Sequence, residues 1–456
     1  MVKAKTAYVC TECGDSFSKW QGQCPSCKTW NTVQEFKTSV AKSVDPVSNV
    51  RTGFAGETSS VQALSDIDLK EVPRLSSGLN ELDRVLGGGF VSGSAVLLGG
   101  QPGAGKSTLL LQAVCGLAEQ IPALYVTGEE SLQQVAMRAE RLGLPKDNLQ
   151  MLAETDVETI CHTATSIKPK IMVIDSIQVM FISELQSAPG SVAQVRESAA
   201  ALIRYAKKTG TILLLVGHVT KEGSLAGPKV LEHMVDTAML LDSSADSRFR
   251  TLRGYKNRFG AVNELGVFAM LEQGMKEVKN PSAIFLSRHE EAVAGSVVMV
   301  AWEGTRSLLV EIQALVDDAS MGHPKRLSVG IEQNRLNMLL AVLNRHGGLH
   351  LGDQDVFANV VGGVKVLETG ADLAVLLAMV SSFRDKPLPR ELVVFGEVGL
   401  SGEIRPVPSG QERLHEAAKH GFTIAIVPKG NVLKQVPKDM TVHGVSKLSE
   451  ALDVLF

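Results

Sequence analysis

The chain has 456 residues, 44% of them hydrophobic and 21% charged, with a formal net charge of −3. At about 100–200 residues per domain that length calls for two to four units, and the composition is that of a soluble globular protein. The near-neutral charge excludes a global pull toward nucleic acid or an anionic membrane, so any polyanion site must be a local patch; apolar runs such as 211–217 fall far short of the ~20 residues of a membrane span, and no leader-like apolar segment opens the chain, so the cytoplasm is the expected location and a membrane is not an expected partner.

The first predicted element contains two C-x-x-C knuckles, Cys10 with Cys13 and Cys24 with Cys27. Four thiolates at this spacing can surround one Zn²⁺ tetrahedrally, and Tyr8, Phe17, Trp20 and Trp30 are too few apolar residues to form a core without it. The expectation is a zinc ribbon over 1–36. A redox C-x-x-C would not need the second pair. The other two cysteines, Cys115 and Cys161, are isolated, which is metal-site usage in a reducing compartment and not a disulfide framework. Residues 37–70 shift to Ser, Thr, Ala, Asp and Gly with little periodicity and are expected to be a linker.

Order resumes at Arg74, where Leu75, Leu79, Leu82 and Leu86 recur at helical spacing before three glycines, Gly87 to Gly89. An apolar strand from Ala95 to Leu98 then enters Gly100-Gln101-Pro102-Gly103-Ala104-Gly105-Lys106-Ser107, and a helix begins at Thr108. Strand, glycine-rich loop and helix in this order make a phosphate-binding loop for ATP: backbone N–H groups face the phosphates, Lys106 reaches the β- and γ-phosphates, and the Ser107 hydroxyl binds Mg²⁺. Apolar runs at Ala123–Val126, Ile171–Ile174, Thr211–Val216 and Thr237–Leu241 alternate with helical stretches, which implies an α/β fold with a mostly parallel sheet. Asp175 closes a Walker B pattern and is placed to hold the Mg²⁺ shell. Of the two carboxylates after Val126, Glu129 is assigned to the attacking water and Glu130 to a supporting or helix-start role. His218 is open between γ-phosphate sensing and packing. From Ser247 to Asn263 there is no acid, and Arg248, Arg250, Arg253, Lys256 and Arg258 make this the most basic stretch. Three readings stand: a solvated strand or hairpin face, cations reaching a neighbouring subunit's γ-phosphate, or cations and aromatics lining a nucleic-acid channel.

The order of zinc ribbon, Arg74-Leu-Ser-Ser-Gly78, the Gly100–Ser107 loop, Gly128-Glu-Glu-Ser131, Asp175-Ser-Ile-Gln178, Gly217 to Gly223 and Lys256-Asn-Arg-Phe-Gly260 resembles the RadA (Sms) family of bacterial DNA-repair proteins over essentially the whole chain. The resemblance implies a RecA-like ATPase core over 71–275 that assembles as a hexameric ring like DnaB-type helicases. It further implies binding to single-stranded and branched DNA and branch migration beside the RecA recombinase. Lys256 and Arg258 would then act in trans on a neighbour's nucleotide, and Lys221 and Lys229 would face the channel. An ATP-switched ring scaffold without motor activity is the alternative. Residues 279–456 are expected to form an α+β domain similar to the protease domain of Lon. Aligned with Lon, Ala371 stands at the serine nucleophile and Gln411 at its lysine base, so neither partner of the dyad is present and ATP-dependent proteolysis is disfavoured. This domain is read as a ring scaffold, with Arg306, Lys325, Arg326, Arg335 and Lys365 as a candidate DNA face.

Overall fold

The computed structural model describes residues 6–10, 16–17, 19–25, 28–30, 32–37, 73–218, 230–243, 248–282, 286, 291–319, 324–363, 365–432 and 436–456. Residues 38–70 of the expected linker, Cys13, Cys27, Lys221 and Lys229 lie outside them, and Lys37, expected to open the linker, instead ends a strand. The chain divides into two compact units, Met1–Glu277 and Val278–Phe456. No helix among the described residues is long and apolar enough to cross a membrane.

The N-terminal element is a small antiparallel sheet in which β1 (Thr6–Cys10) pairs with both β2 (Ser16–Phe17) and β3 (Val33–Lys37). Cys10, Cys24 and Val33 are its buried residues, with Tyr8 and Phe17 packed against them, whereas Trp20 and Trp30 lie outside this small core.

Next come the short strand β4 (Arg74–Leu75), helix α1 (Asn80–Leu86) and strand β5 (Phe90–Val91). Leu75 is therefore not on the expected helix: it pairs with Phe90. Asp83 accounts for the break, because its carboxylate accepts from Ser76 Oγ at 2.5 Å and from the Ser77 N–H at 2.8 Å, turning the chain before the helix begins.

The core sheet is built from β6 (Ala95–Gly100), β7 (Ala123–Thr127), β8 (Leu149–Ala153), β9 (Ile171–Asp175), β10 (Ile212–His218), β11 (Thr237–Asp242), β12 (Phe249–Asn257), β13 (Leu265–Leu271) and β14 (Gly274–Glu277). Among the described residues it has nine strands in the order β14-β13-β12-β11-β6-β10-β9-β7-β8. From β11 to β8 the strands are parallel, and the remaining three run antiparallel at one edge. The inner parallel strands β6, β7, β9 and β10 are buried on both faces, which is why they read as unbroken apolar runs. Alternate residues feed two cores: Val96, Leu98, Val173 and Leu214 pack with α2 (Lys106–Ala118) and α3 (Leu132–Arg141), and Leu97, Met172, Ile174 and Leu213 pack with α4 (Val157–Ile167) and α5 (Val192–Thr209). A short α6 (Val230–Met234) precedes β11. The strand β8 had no counterpart in the sequence reading because it is an edge strand with no fully buried residue.

The second unit is α+β. Its main sheet contains β15 (Ser296–Glu303), β16 (Arg306–Asp318), β17 (Arg326–Val329), β18 (Gln354–Val360), β19 (Leu392–Val394), β22 (Ile424–Pro428) and β23 (Thr441–Val445), while β20 (Glu397–Val398) and β21 (Ile404–Arg405) form a separate pair. Its helices are α7 (Gln333–His346), α8 (Asp372–Phe383), α9 (Gly410–Lys419) and α10 (Leu448–Leu455). From Asp372 to Ser381 every residue of α8 is buried, which makes it the central helix of the domain.

Candidate active site

Four adjacent parallel strands end together. His218 on β10 is level with Gly100 on β6, and Thr127 on β7 is level with Asp175 on β9. In an open parallel sheet this carboxyl edge is where a ligand site is built. Gly100 leads into the loop, and α2 begins at Lys106 after Gly105, whose φ of 103° is in the left-handed region that favours glycine.

Lys106 is buried, and its ammonium donates to the Gly100 and Gln101 carbonyls at 2.8 and 3.1 Å and stands 3.3 Å from His218 Nδ1. Burial pushes its pKa down, against the pull of Asp175 and Glu129. Ser107 and Thr108 occupy the first turn of α2, beside the N–H groups that a helix start leaves unpaired. The loop thus offers a cation, a hydroxyl and free backbone donors, the donor set that a triphosphate with Mg²⁺ requires.

Across the loop, the Asp175 carboxylate accepts a 2.5 Å hydrogen bond from the Tyr125 hydroxyl, a group wholly buried in β7. Burial and the neighbouring Asp175 charge push the Tyr125 pKa well up, so the phenol stays a neutral donor. The Asp175–Ser176 peptide is cis. The two glutamates have different partners: Glu129 accepts from Ser176 Oγ and stands 3.4 Å from His218 Nε2, whereas Glu130 is held by Arg138 next to the helix start at Ser131. Lys106, Glu129, Asp175 and His218 are therefore brought together, and Glu130 is turned to a different partner. Tyr125 and Ser176 were not singled out from sequence. Ser176 directly follows the Walker B aspartate; a tyrosine inside an apolar strand gives no comparable signal.

The basic stretch divides. Arg250 Nε donates to Ala104 O of its own loop at 3.2 Å. Lys256 and Arg258 sit at the opposite end of β12, because Ala238 pairs with Lys256 and Asp242 with Thr251. Lys256 Nζ donates to the Glu232 and His233 carbonyls at 2.8 and 3.1 Å, and burial, with Arg258 nearby, pushes its pKa down. Arg258 donates to the buried Asp236 carboxylate at 3.1 Å; Asp236 also binds Lys207 at 2.6 Å and the Ala95 N–H at 2.9 Å. The rest of the Lys256–Gly260 turn rests on the segment that begins at Arg74. The Arg74 guanidinium donates to the Phe259 carbonyl, and a Cβ on Gly260 would come within 3.0 Å of the Gly87 Cα. Two motifs whose contacting residues are 185 positions apart in sequence are thus one structural unit.

At the N-terminus, Cys10 and Cys24 are buried in the same small cluster; Cys13 and Cys27 fall outside the described residues. Among the described residues no group of three or more His, Cys, Asp or Glu could hold a metal. Burial raises Cys115 and Cys161 each to about 11, which leaves both as protonated, unreactive thiols.

In the second unit Ala371 is buried just before α8, and Gln411 lies exposed in the first turn of α9. The two segments are fastened by Arg413, fully buried, which grips both oxygens of Glu368 at 2.8 and 2.6 Å. Arg335 does not belong to a free basic face: its guanidinium is committed to the buried Asp372 carboxylate.

Family models match at residues 62–224 (AAA domain), 8–35 (rubredoxin metal binding domain) and 329–431 (subunit ChlI of Mg-chelatase). The chain is similar to proteins named DNA repair protein RadA: 66% identical to that of Haemophilus influenzae (100% of this chain, 99% of the relative), 67% to that of Escherichia coli (100% and 99%) and 46% to that of Bacillus subtilis (99% of each). Among solved structures, the KaiC-like protein PH0186 of Pyrococcus horikoshii is 22% identical with a TM-score of 0.40, covering 46% of this chain and 100% of that one.

Proposed function

Because the chain belongs to the RadA family of DNA repair proteins, we propose that it is a DNA-dependent ATPase motor that binds single-stranded DNA and drives branch migration of recombination intermediates. The observation that carries the reading is the convergence of Lys106, Asp175, Glu129 and His218 on the Gly100–Ser107 loop. ATP is the substrate. Lys106 would leave its carbonyl partners for the β- and γ-phosphates, and the N–H groups of residues 100–108 would take the remaining oxygens. Mg²⁺, held through Ser107 and Asp175, would neutralise charge between the β- and γ-phosphates. Glu129, aligned by Ser176 and His218, would orient the attacking water.

Lys256 and Arg258 would complete a neighbour's site in a homo-oligomeric, hexameric ring. In support, they lie at the end of β12 remote from their own loop, and the Arg258 side chain is 57% exposed despite its bond to Asp236. The proposed domains are a zinc ribbon (1–36) with Zn²⁺ on Cys10, Cys13, Cys24 and Cys27, a linker (37–70), the RecA-like ATPase (71–275) and a Lon-like domain (279–456) that holds the ring and cleaves no peptide. Branched DNA and the RecA recombinase are the proposed partners, and the cytoplasm the proposed location.

The test is ATP turnover with and without single-stranded DNA, over a salt series. Turnover should rise with DNA, and DNA affinity should fall steeply with salt because phosphate contacts release counterions. Lys106→Ala should abolish turnover in both conditions. Turnover indifferent to DNA would sink the reading of the chain as a DNA motor.

A further inference from the structure

The zinc ribbon carries an aromatic surface that neither ATP chemistry nor the cysteines explain. Trp20 is 61% exposed and Trp30 is 67% exposed. Such large apolar rings normally find cover, since each forfeits a large burial gain by standing in water. The Trp20 ring and the Trp30 main chain are each tied to the ribbon. The Trp20 indole N–H donates to the Val33 carbonyl at 3.0 Å, and the Trp30 backbone forms an antiparallel bridge with Gln23, whose amide also donates to the Lys28 carbonyl at 2.7 Å. The rings stand on the same side of the ribbon: a Cβ on Gly22 would lie 3.7 Å from Trp20 Cη2 and 3.9 Å from Trp30 Cζ3. Lys19 and Lys28, both exposed, are neighbours of this pair, and the sequence holds no acid from Ser16 to Gln34. In a chain of net charge −3 this is a local patch of fixed aromatics and cations.

We propose that Trp20 and Trp30 form a stacking platform for unpaired bases of single-stranded DNA, with Lys19 and Lys28 contacting the flanking phosphates. The proposal rests on the reading of this protein as acting on single-stranded DNA, and it adds a second contact, remote in sequence from the ATPase loops. The chemistry favours a nucleic acid over an apolar protein groove. Every base presents a π-face to an indole, and the lysines match a polyanion. Rigid rings lose little conformational entropy on stacking.

The test uses the full-length protein with zinc bound and a fluorescein-labelled oligo(dT), which has no structure of its own. Trp20→Ala and Trp30→Ala should each weaken binding on the order of tenfold, the expected worth of one stacked base. Trp20→Phe and Trp30→Phe should recover most of the loss. Lys19→Gln with Lys28→Gln should lower the slope of log affinity against log salt by about 1–2. Zinc content and DNA-free ATP turnover should stay unchanged. A second readout needs no change at the platform. The chain has 3 tryptophans, so in Trp302→Phe the remaining fluorescence comes from the ribbon, and oligo(dT) should quench it. Unchanged affinity in the Ala variants together with unquenched fluorescence would overturn the proposal while leaving the motor reading intact. So would Ala variants that keep full DNA affinity and lose binding to a recombinase instead. If the unaltered protein itself fails to bind oligo(dT), the underlying DNA reading falls with it.

Discussion

The phenol of Tyr125 donates to one oxygen of the Asp175 carboxylate at 2.5 Å; in the proposed site the other oxygen would face the metal's water shell. A hydrogen bond to a charged group contributes about 1.5–3 kcal/mol, so Tyr125→Phe should free the carboxylate to rotate. We expect a higher Mg²⁺ midpoint for binding of a fluorescent ATP analogue, by roughly tenfold, with metal-free nucleotide binding unchanged. An unmoved midpoint would mean that the phenol only fills space. Glu129 makes contact with Ser176 and His218 and sits beside the loop, whereas Glu130 is occupied with Arg138. Accordingly Glu129→Gln should keep ATP binding and cut turnover by about 10²–10⁴-fold, the usual contribution of a positioned acid–base group. Glu130→Gln should cost far less. If the two variants lost turnover equally, the division between them would be wrong.

Among the elements, the loop preceding α2 depends on backbone freedom at Gly105. A side chain there would meet the Met270 and Met275 methyls at 2.5 and 2.6 Å. Those methyls can swing aside, so the positive φ sets the cost of Gly105→Ala at about 1–3 kcal/mol. A calorimetric melt and a nucleotide titration should both register the change. Helix α4 shows a different dependence, on a cap. Asp156 accepts from the Thr159 N–H at 2.9 Å and Oγ1 at 2.8 Å, and from Ser183 Oγ at 3.2 Å. Partial burial pushes its pKa up, but these donors outweigh it and hold the carboxyl below its ordinary range. A depressed carboxylate stabilises the fold fully above its unfolded pKa and loses that contribution as pH falls through the folded value. Asp156→Ala should therefore cost about 1 kcal/mol at neutral pH. The gap from the unaltered protein should narrow in acid, which denaturant midpoints measured at several pH values will reveal.

At the scale of the whole molecule, the proposed assembly rests on where β12 begins and ends. One end delivers Arg250 to its own phosphate loop, and the other holds Lys256 and Arg258 beyond reach of it. If the second pair serves a neighbour, Arg258→Ala should bind ATP normally and lose turnover by about 10³-fold or more, as for a trans-acting arginine. Mixing that variant with Lys106→Ala should restore turnover, since one subunit would contribute an intact Lys106 and its neighbour an intact Arg258. An inactive mixture would argue that each site is complete within one chain. Because Arg258 also pairs with Asp236, a melting curve of the single variant separates loss of the finger from loss of that ion pair.

The strand, glycine-rich loop and helix around Gly100–Ser107 and the parallel core strands were legible in the chain itself, because each is a short run whose conformation or burial is fixed by its immediate neighbours. Register and side-chain company are not local in that sense. Tyr125 meets Asp175 only because β7 and β9 align Thr127 with Asp175. Leu75 joins a strand because Phe90 and Asp83 claim its surroundings. Arg250 and Arg258 look alike in sequence, yet they lie at opposite ends of one extended strand, and only the antiparallel pairing with β11 decides which end faces the loop. The sequence alone determined that the chain carries a nucleotide loop. Hydrogen bonding between distant strands decided which of its many charges stand beside that loop and which are turned away from it.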